Sequence, residues 1–127
     1  MNPIAALSFK ASITICAERI LTMLTATADT VKLAAAVSEL PIGIGLDNVL
    51  DTGAAVPVAG PGNIAPLYFN DTVGSGRMVA SDASGRGVLH VDITAGSYVV
   101  GMLVGPTVAA TGTIADVLVM PFFKSIP

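Results

Sequence analysis

From residue 8 to residue 15 the chain alternates. Phe9, Ala11, Ile13 and Ile15 fall on one side, and Lys10, Ser12 and Thr14 on the other. Period two predicts a half-buried strand. Residues 19–24 and 30–33 read as further short strands. Residues 33–37 favour helix by their alanine content, and Pro41 with the glycines beyond it would stop any such helix. Residues 41–62, PIGIGLDNVLDTGAAVPVAGPG, set Gly43 and Gly45 between isoleucines. An interior glycine costs a helix roughly 1 kcal/mol against alanine, and proline about 3. Strands accept glycine where they bend or where backbones approach closely. PIGIGL therefore reads as a bent strand, Asp51-Thr52-Gly53 as a turn and AAVPV as the strand that follows. Pro57 cannot donate to a ladder, which predicts an edge or a bulge for that strand.

Residues 64–70 read as a short strand broken by Pro66. Turn residues at Gly74-Ser75-Gly76 and Asp82-Ala83-Ser84-Gly85 flank a four-residue strand at 77–80. Residues 87–93 alternate, with Leu89, Val91 and Ile93 on one face and Val88, His90 and Asp92 on the other. That pattern makes His90 and Asp92 a solvated pair. Residues 98–104 and 115–120 complete the set. Short strands with turn signals at this spacing predict an all-β fold, a small Gly/Val-rich barrel or sandwich. Residues 8–127 form one β domain, preceded by an extended N-terminal arm at 1–7. A weak repeat runs through it: Ile42-Gly43-Ile44, Thr52-Gly53, Val56-Pro57-Val58 is echoed by Val100-Gly101-Met102, Thr111-Gly112, Val117-Leu118-Val119.

Composition sharpens this picture. The 127 residues are 53% hydrophobic and only 12% charged, against about 25% charged in ordinary domains. Apolar surface left bare marks interaction sites, so much of this surface is expected to be covered by partners. The net charge is −3 with no run of Lys or Arg, which leaves no electrostatic footprint for nucleic acid. Residues 93–115 carry no charge and are long enough for a membrane helix. Their glycines, Pro106 and β-branched residues instead break them into two strand-like pieces, and no membrane span is expected. The N-terminus lacks a basic stretch followed by a long apolar one, so no secretory signal is read.

Candidate chemistry is thin. His90 is the single histidine and Cys16 the single cysteine, so no intramolecular disulfide is possible. Cys16 is expected to be an inert, partly buried thiol. Nucleophilic catalysis needs a base held beside the nucleophile, and nothing in the spacing supplies one. No CxxC, HExxH or phosphate-loop pattern appears. Asp47, Asp51 and Asp71 are expected to make local turns, and LDNVLD is too sparse in oxygens for calcium. Neither catalysis, a cofactor nor a metal is expected. A lipoyl or biotinyl carrier would need a modifiable lysine at a hairpin tip, a context that Lys10, Lys32 and Lys124 lack. The arm is the candidate binding element. Met1, Asn2, Pro3, Ile4, Ala5, Ala6 and Leu7 carry no charged side chain, and Pro3 disfavours helix at Asn2. An apolar terminus is a poor solvent-exposed tail, so a partner is expected to tie it down. The alternative is that Ile4 and Leu7 cap the protomer's own barrel.

The order of these motifs resembles the capsid decoration, or cement, proteins of tailed bacteriophages. The residues that carry the likeness are Arg19-Ile20-Leu21, Val31-Lys32-Leu33, Pro41-Ile42-Gly43-Ile44-Gly45 and Gly53-Ala54-Ala55-Val56-Pro57-Val58. Gly76-Arg77-Met78-Val79-Ala80-Ser81-Asp82-Ala83-Ser84-Gly85, Val100-Gly101-Met102 and Val117-Leu118-Val119 follow in order. The pattern departs at Asp116, inside the last strand, and in the apolar tail from Met120 onward. The resemblance implies a non-enzymatic virion protein, made in the host cytoplasm and bound to the outer surface of the capsid. It implies a homotrimer at three-fold and quasi-three-fold positions, with the major capsid protein as partner. A pilus or surface-layer subunit is the alternative, and a small carrier or enzyme domain the more distant one.

Overall fold

A computed structural model describes residues 6–24, 28–36, 39–90 and 97–124. These form ten strands and no helix. They are β1 (Ala6–Ala11), β2 (Ile20–Met23), β3 (Thr30–Leu33), β4 (Pro41–Gly45), β5 (Ala55–Ala59), β6 (Ile64–Tyr68), β7 (Met78–Ser81), β8 (Gly87–Leu89), β9 (Ser97–Leu103) and β10 (Ile114–Lys124). The all-β expectation holds, and β3 has the bounds that its residue pattern predicts. The described part of 33–37 is not helical; the Ala34 N–H bonds back to the Ile20 carbonyl instead. Among the described residues no helix is long and apolar enough to cross a membrane.

The first five strands close a barrel in the order β1-β3-β2-β4-β5, with β5 pairing back onto β1. The last five form a sheet in the order β6-β10-β9-β7-β8, whose two edges meet at a parallel bridge between Phe69 and Gly87. The connectivity of the two units is the same: β6 to β10 repeat β1 to β5, one for one. Ile15 and Val49 exchange two backbone bonds after β1 and β4, as Val73 and Val108 do after β6 and β9. The Gly53 N–H donates to the Ala11 carbonyl at 2.7 Å, and the Gly112 N–H to the Phe69 carbonyl at 2.7 Å. Left-handed backbone recurs at matching places, at Glu18 and Gly76, Asp29 and Gly85, and Gly53 and Gly112. The weak sequence repeat is thus the trace of a structural one.

The glycines of the repeat have one role in both units. A Cβ on Gly43 would land on the Ala59 carbonyl oxygen, and one on Gly101 on the Leu118 carbonyl oxygen. Only a residue without a side chain lets the last two strands of each unit come so close. The two hairpins share their register: Ile44 opposes Ala59 and Gly45 opposes Val58, as Met102 opposes Leu118 and Leu103 opposes Val117.

Two apolar clusters follow from this arrangement. Leu21, Val31, Val56 and Val58 fill the barrel. Leu67, Phe69, Val79, Leu103, Val117 and Val119 fill the sheet, joined there by Ile20, Ala34, Ile44 and Ala59 from the barrel's outer wall. Neighbours Ile20 and Leu21 are therefore both fully buried, on opposite sides of β2.

Several local expectations are corrected. Ile13 is 51% exposed, because β1 ends at Ala11 and the chain leaves the ladder before Ile15 bridges to Val49. Cys16, just past that bridge, is exposed rather than partly buried. β5 is neither an edge nor bulged at Pro57. It pairs with β1 and β4, and the Pro57 carbonyl accepts from Leu46 N–H where the β4 ladder has already ended. The missing Pro57 N–H faces that same side, away from β1, so the β1 ladder loses no bond. Pro66 does not break β6, which runs through it with Pro66 opposite Asp116. β10 carries past Met120 to Lys124, and its register shifts between Val119 and Phe122, where Pro121 sits.

Candidate assembly surface

The arm expected at residues 1–7 enters the fold at Ala6. Ala6 and Leu7 open β1 and oppose Ala59 and Val58 on β5. Leu7 stays 48% exposed at the open end of the barrel, leaning over Gly60. Met1, Asn2, Pro3, Ile4 and Ala5 lie outside the described residues.

The polar groups make structural bonds. His90 is buried, not solvated, and its Nε2 lies 2.7 Å from the buried Ser97 Oγ. Its expected partner Asp92 lies outside the described residues. Asp82 organises its own turn: Oδ1 accepts from the N–H groups of Ser84 and Arg86, and Oδ2 pairs with Arg86 Nε at 2.8 Å. Asp47 and Asp71 each accept from the next backbone N–H. Lys32 pairs with Glu39 at 2.6 Å. Burial raises the Glu39 carboxyl, but hydrogen bonds from Lys32 and the Ala35 N–H, with the lysine's charge, outweigh it. The net effect holds Glu39 below the ordinary carboxylate value. Among the described residues no three His, Cys, Asp or Glu side chains gather as metal ligands.

The two units meet at a joint built from apolar packing, backbone hydrogen bonds and a ring contact. On the barrel's outer wall Ile20, Ile44 and Ala59 stand opposite one another across β2, β4 and β5. This row is fully buried in one cluster with Ala65 and Leu67 of β6 and with Phe69 just past its end. Beside it the loop from Glu18 to Ile20 enters the sheet. The Tyr68 N–H donates to the Glu18 carbonyl at 2.9 Å, and the Ile20 N–H to the Gly85 carbonyl at 2.7 Å. Arg19 lies 4.3 Å over the centre of the Tyr68 ring, a cation–π contact. In the barrel the counterparts of Tyr68 and Gly85 are Lys10 and Asp29. There the Lys10 N–H bonds directly to the Asp29 carbonyl at 2.7 Å. The inserted loop is thus what holds the second unit open at Tyr68 while the first closes.

Each half of this joint has a counterpart that is only partly covered by the described residues. The row matching Ile20, Ile44 and Ala59 is Met78, Met102 and Leu118, again paired across three strands and continued by Ile64 on β6. The first three are half-buried and Ile64 is 52% exposed. The loop matching Glu18–Arg19 is Gly76–Arg77, exposed and with the same left-handed turn. At the other end, the residues matching Ala65 and Leu67 are Leu7 and Phe9. Phe9 helps to line an open groove of about 330 Å³ with Ser8, Lys10, Asp29, Gly53 and Ala55. The residue pattern alone did not bring these surfaces together. The signal was present in the spacing of Gly43 and Gly101, which, applied along the whole chain, aligns Arg19 with Arg77.

Compared with known proteins, the sequence matches no family model and no curated protein. The fold does have a solved counterpart. It is similar to the N base of head fiber gp8.5 of bacteriophage phi29, with a TM-score of 0.69 and 18% sequence identity. The superposition covers 93% of this chain and 95% of that one, so both units are included. At that identity the likeness is one of fold.

Proposed function

We propose that this chain is a non-enzymatic structural protein of a tailed-phage head, bound to the outside of the shell as a decoration protein. The observation that carries this reading is the fold likeness to a phage head fiber base over nearly the whole of both chains. The sequence resemblance to cement proteins points the same way from different features. Low charge and exposed apolar side chains such as Leu7, Ile13 and Ile64 suit a protein held between others. In this reading the protein is a homotrimer at three-fold and quasi-three-fold positions, and the major capsid protein is its partner. Three linked copies gain by avidity, so each protomer needs only a modest contact with the shell. The arm at residues 1–7 supplies part of that contact, with Ile4 and Leu7 filling pockets on the shell or a neighbouring protomer.

Pelleting tests the reading. Capsids purified from a phage lacking this gene are mixed with the protein and centrifuged. Co-pelleting that saturates at a fixed number of copies per capsid is the expected outcome. Protein that stays in the supernatant at every concentration would overturn it.

A further inference from the structure

Among the described residues each half of the internal joint has a second copy that is only partly covered. At one end stands the row Met78–Met102–Leu118 with the loop Gly76–Arg77; at the other stands the barrel mouth at Leu7, Phe9, Lys10 and Asp29. The row has the cross-strand pairing of Ile20, Ile44 and Ala59, which are fully buried at the internal joint. The mouth has the strand positions of the sheet that they cover, with its rim closed by the Lys10–Asp29 backbone bond. We propose that copies of this chain associate head to tail, the outer wall of one second unit covering the barrel mouth of the next. The contact repeats between molecules what Ile20, Ile44 and Ala59 do within one. It rests on the self-association in the function proposed above and names its interface.

The chemistry fits with one change. Within the chain Arg19 covers the Tyr68 ring. Between chains Arg77 meets Lys10, and Asp29, where the second unit has Gly85, supplies a carboxylate as counter-charge. The Lys10 N–H is already bonded to the Asp29 carbonyl, so the arriving loop lies over the rim and does not enter the ladder. Apolar burial carries the contact: the half-buried Met78, Met102 and Leu118 meet Leu7 and Phe9. Such an interface is heterologous. It closes into a ring where the rotation per copy permits and otherwise grows as a filament. A three-membered ring is the form consistent with the proposed trimer.

Cross-linking decides it. Lys10→Cys and Arg77→Cys are made separately, each with Cys16→Ser, and treated with a short bismaleimide alone and mixed. Covalent dimers in the mixture and none in either variant alone are expected. No product in the mixture, or equal product in a single variant, would overturn the joint. Met102→Glu provides the second reading. It should keep the β-sheet circular dichroism and sediment as a monomer; sedimentation identical to wild type would also overturn the joint. Capsid pelleting of the wild-type protein is scored separately. Capsid binding without cross-links removes the joint alone, and cross-links without capsid binding remove the proposed function alone.

Discussion

The Ile20 N–H donates to the Gly85 carbonyl at 2.7 Å, and this bond seats the outer wall of the barrel on the second sheet. Gly85 has a left-handed backbone, and a Cβ there would stand 2.8 Å from the Ile20 carbonyl oxygen. Gly85→Ala is therefore expected to cost about 1–3 kcal/mol through backbone strain and crowding together. Gly62 has a similar φ and open space around its Cα, so Gly62→Ala should cost only about 1 kcal/mol. Urea unfolding of the two variants checks the difference, and equal losses would show that the joint adds nothing at Gly85.

Gly43→Ala and Gly101→Ala test the repeat itself. Each would drive a methyl group into a carbonyl of the facing strand. Both are expected to lose about 3 kcal/mol or more, or not to fold. Thermal unfolding within a few degrees of wild type for either would contradict the close approach.

These glycines also show how far the sequence could be read. β3 and β4 were legible because Val31 and Leu33 alternate with Thr30 and Lys32, and because Pro41–Gly45 is a short apolar run whose proline and glycines rule out a helix. The β4–β5 and β9–β10 hairpins were legible as a glycine repeat. The full duplication was not, because its other landmarks conserve backbone shape and not chemistry. Glu18 matches Gly76, and Asp29 matches Gly85. Alternation misplaced Ile13 because side-chain pattern continues past the point where strand pairing stops. It misplaced His90 because alternation assumes one wet face, and His90 is covered on the face assigned to solvent. Of the candidate site, Leu7 was named from sequence. The Met78–Met102–Leu118 row was not, since cross-strand neighbours are invisible without the register.

The pair Lys32–Glu39 makes a pH prediction. Glu39 titrates below its ordinary value in the folded protein. A depressed carboxyl contributes stability above its unfolded pKa and loses it as pH falls through the folded pKa. Glu39→Gln is expected to be less stable than wild type at neutral pH, and the gap should shrink as acid protonates Glu39. Denaturant midpoints at neutral and acid pH check this. A gap that widens toward acid would reverse the sign.

Removing residues 1–5 separates tether from cap. The cut leaves Ala6 and Leu7 in place on β1, so their pairing to β5 can persist. The truncated protein should keep its circular dichroism and melting temperature and bind capsids more weakly. Unchanged capsid binding would dispose of the tether, and loss of the fold would assign the arm to the barrel.

The place proposed for this chain is the outside of a phage head. Cryo-electron microscopy of virions of the encoding phage, compared with virions lacking the gene, tests it most directly. Extra density is expected on the outer shell surface at three-fold and quasi-three-fold positions, into which this two-unit fold can be placed. Identical shells with and without the gene, or extra density confined to the capsid interior, would contradict it.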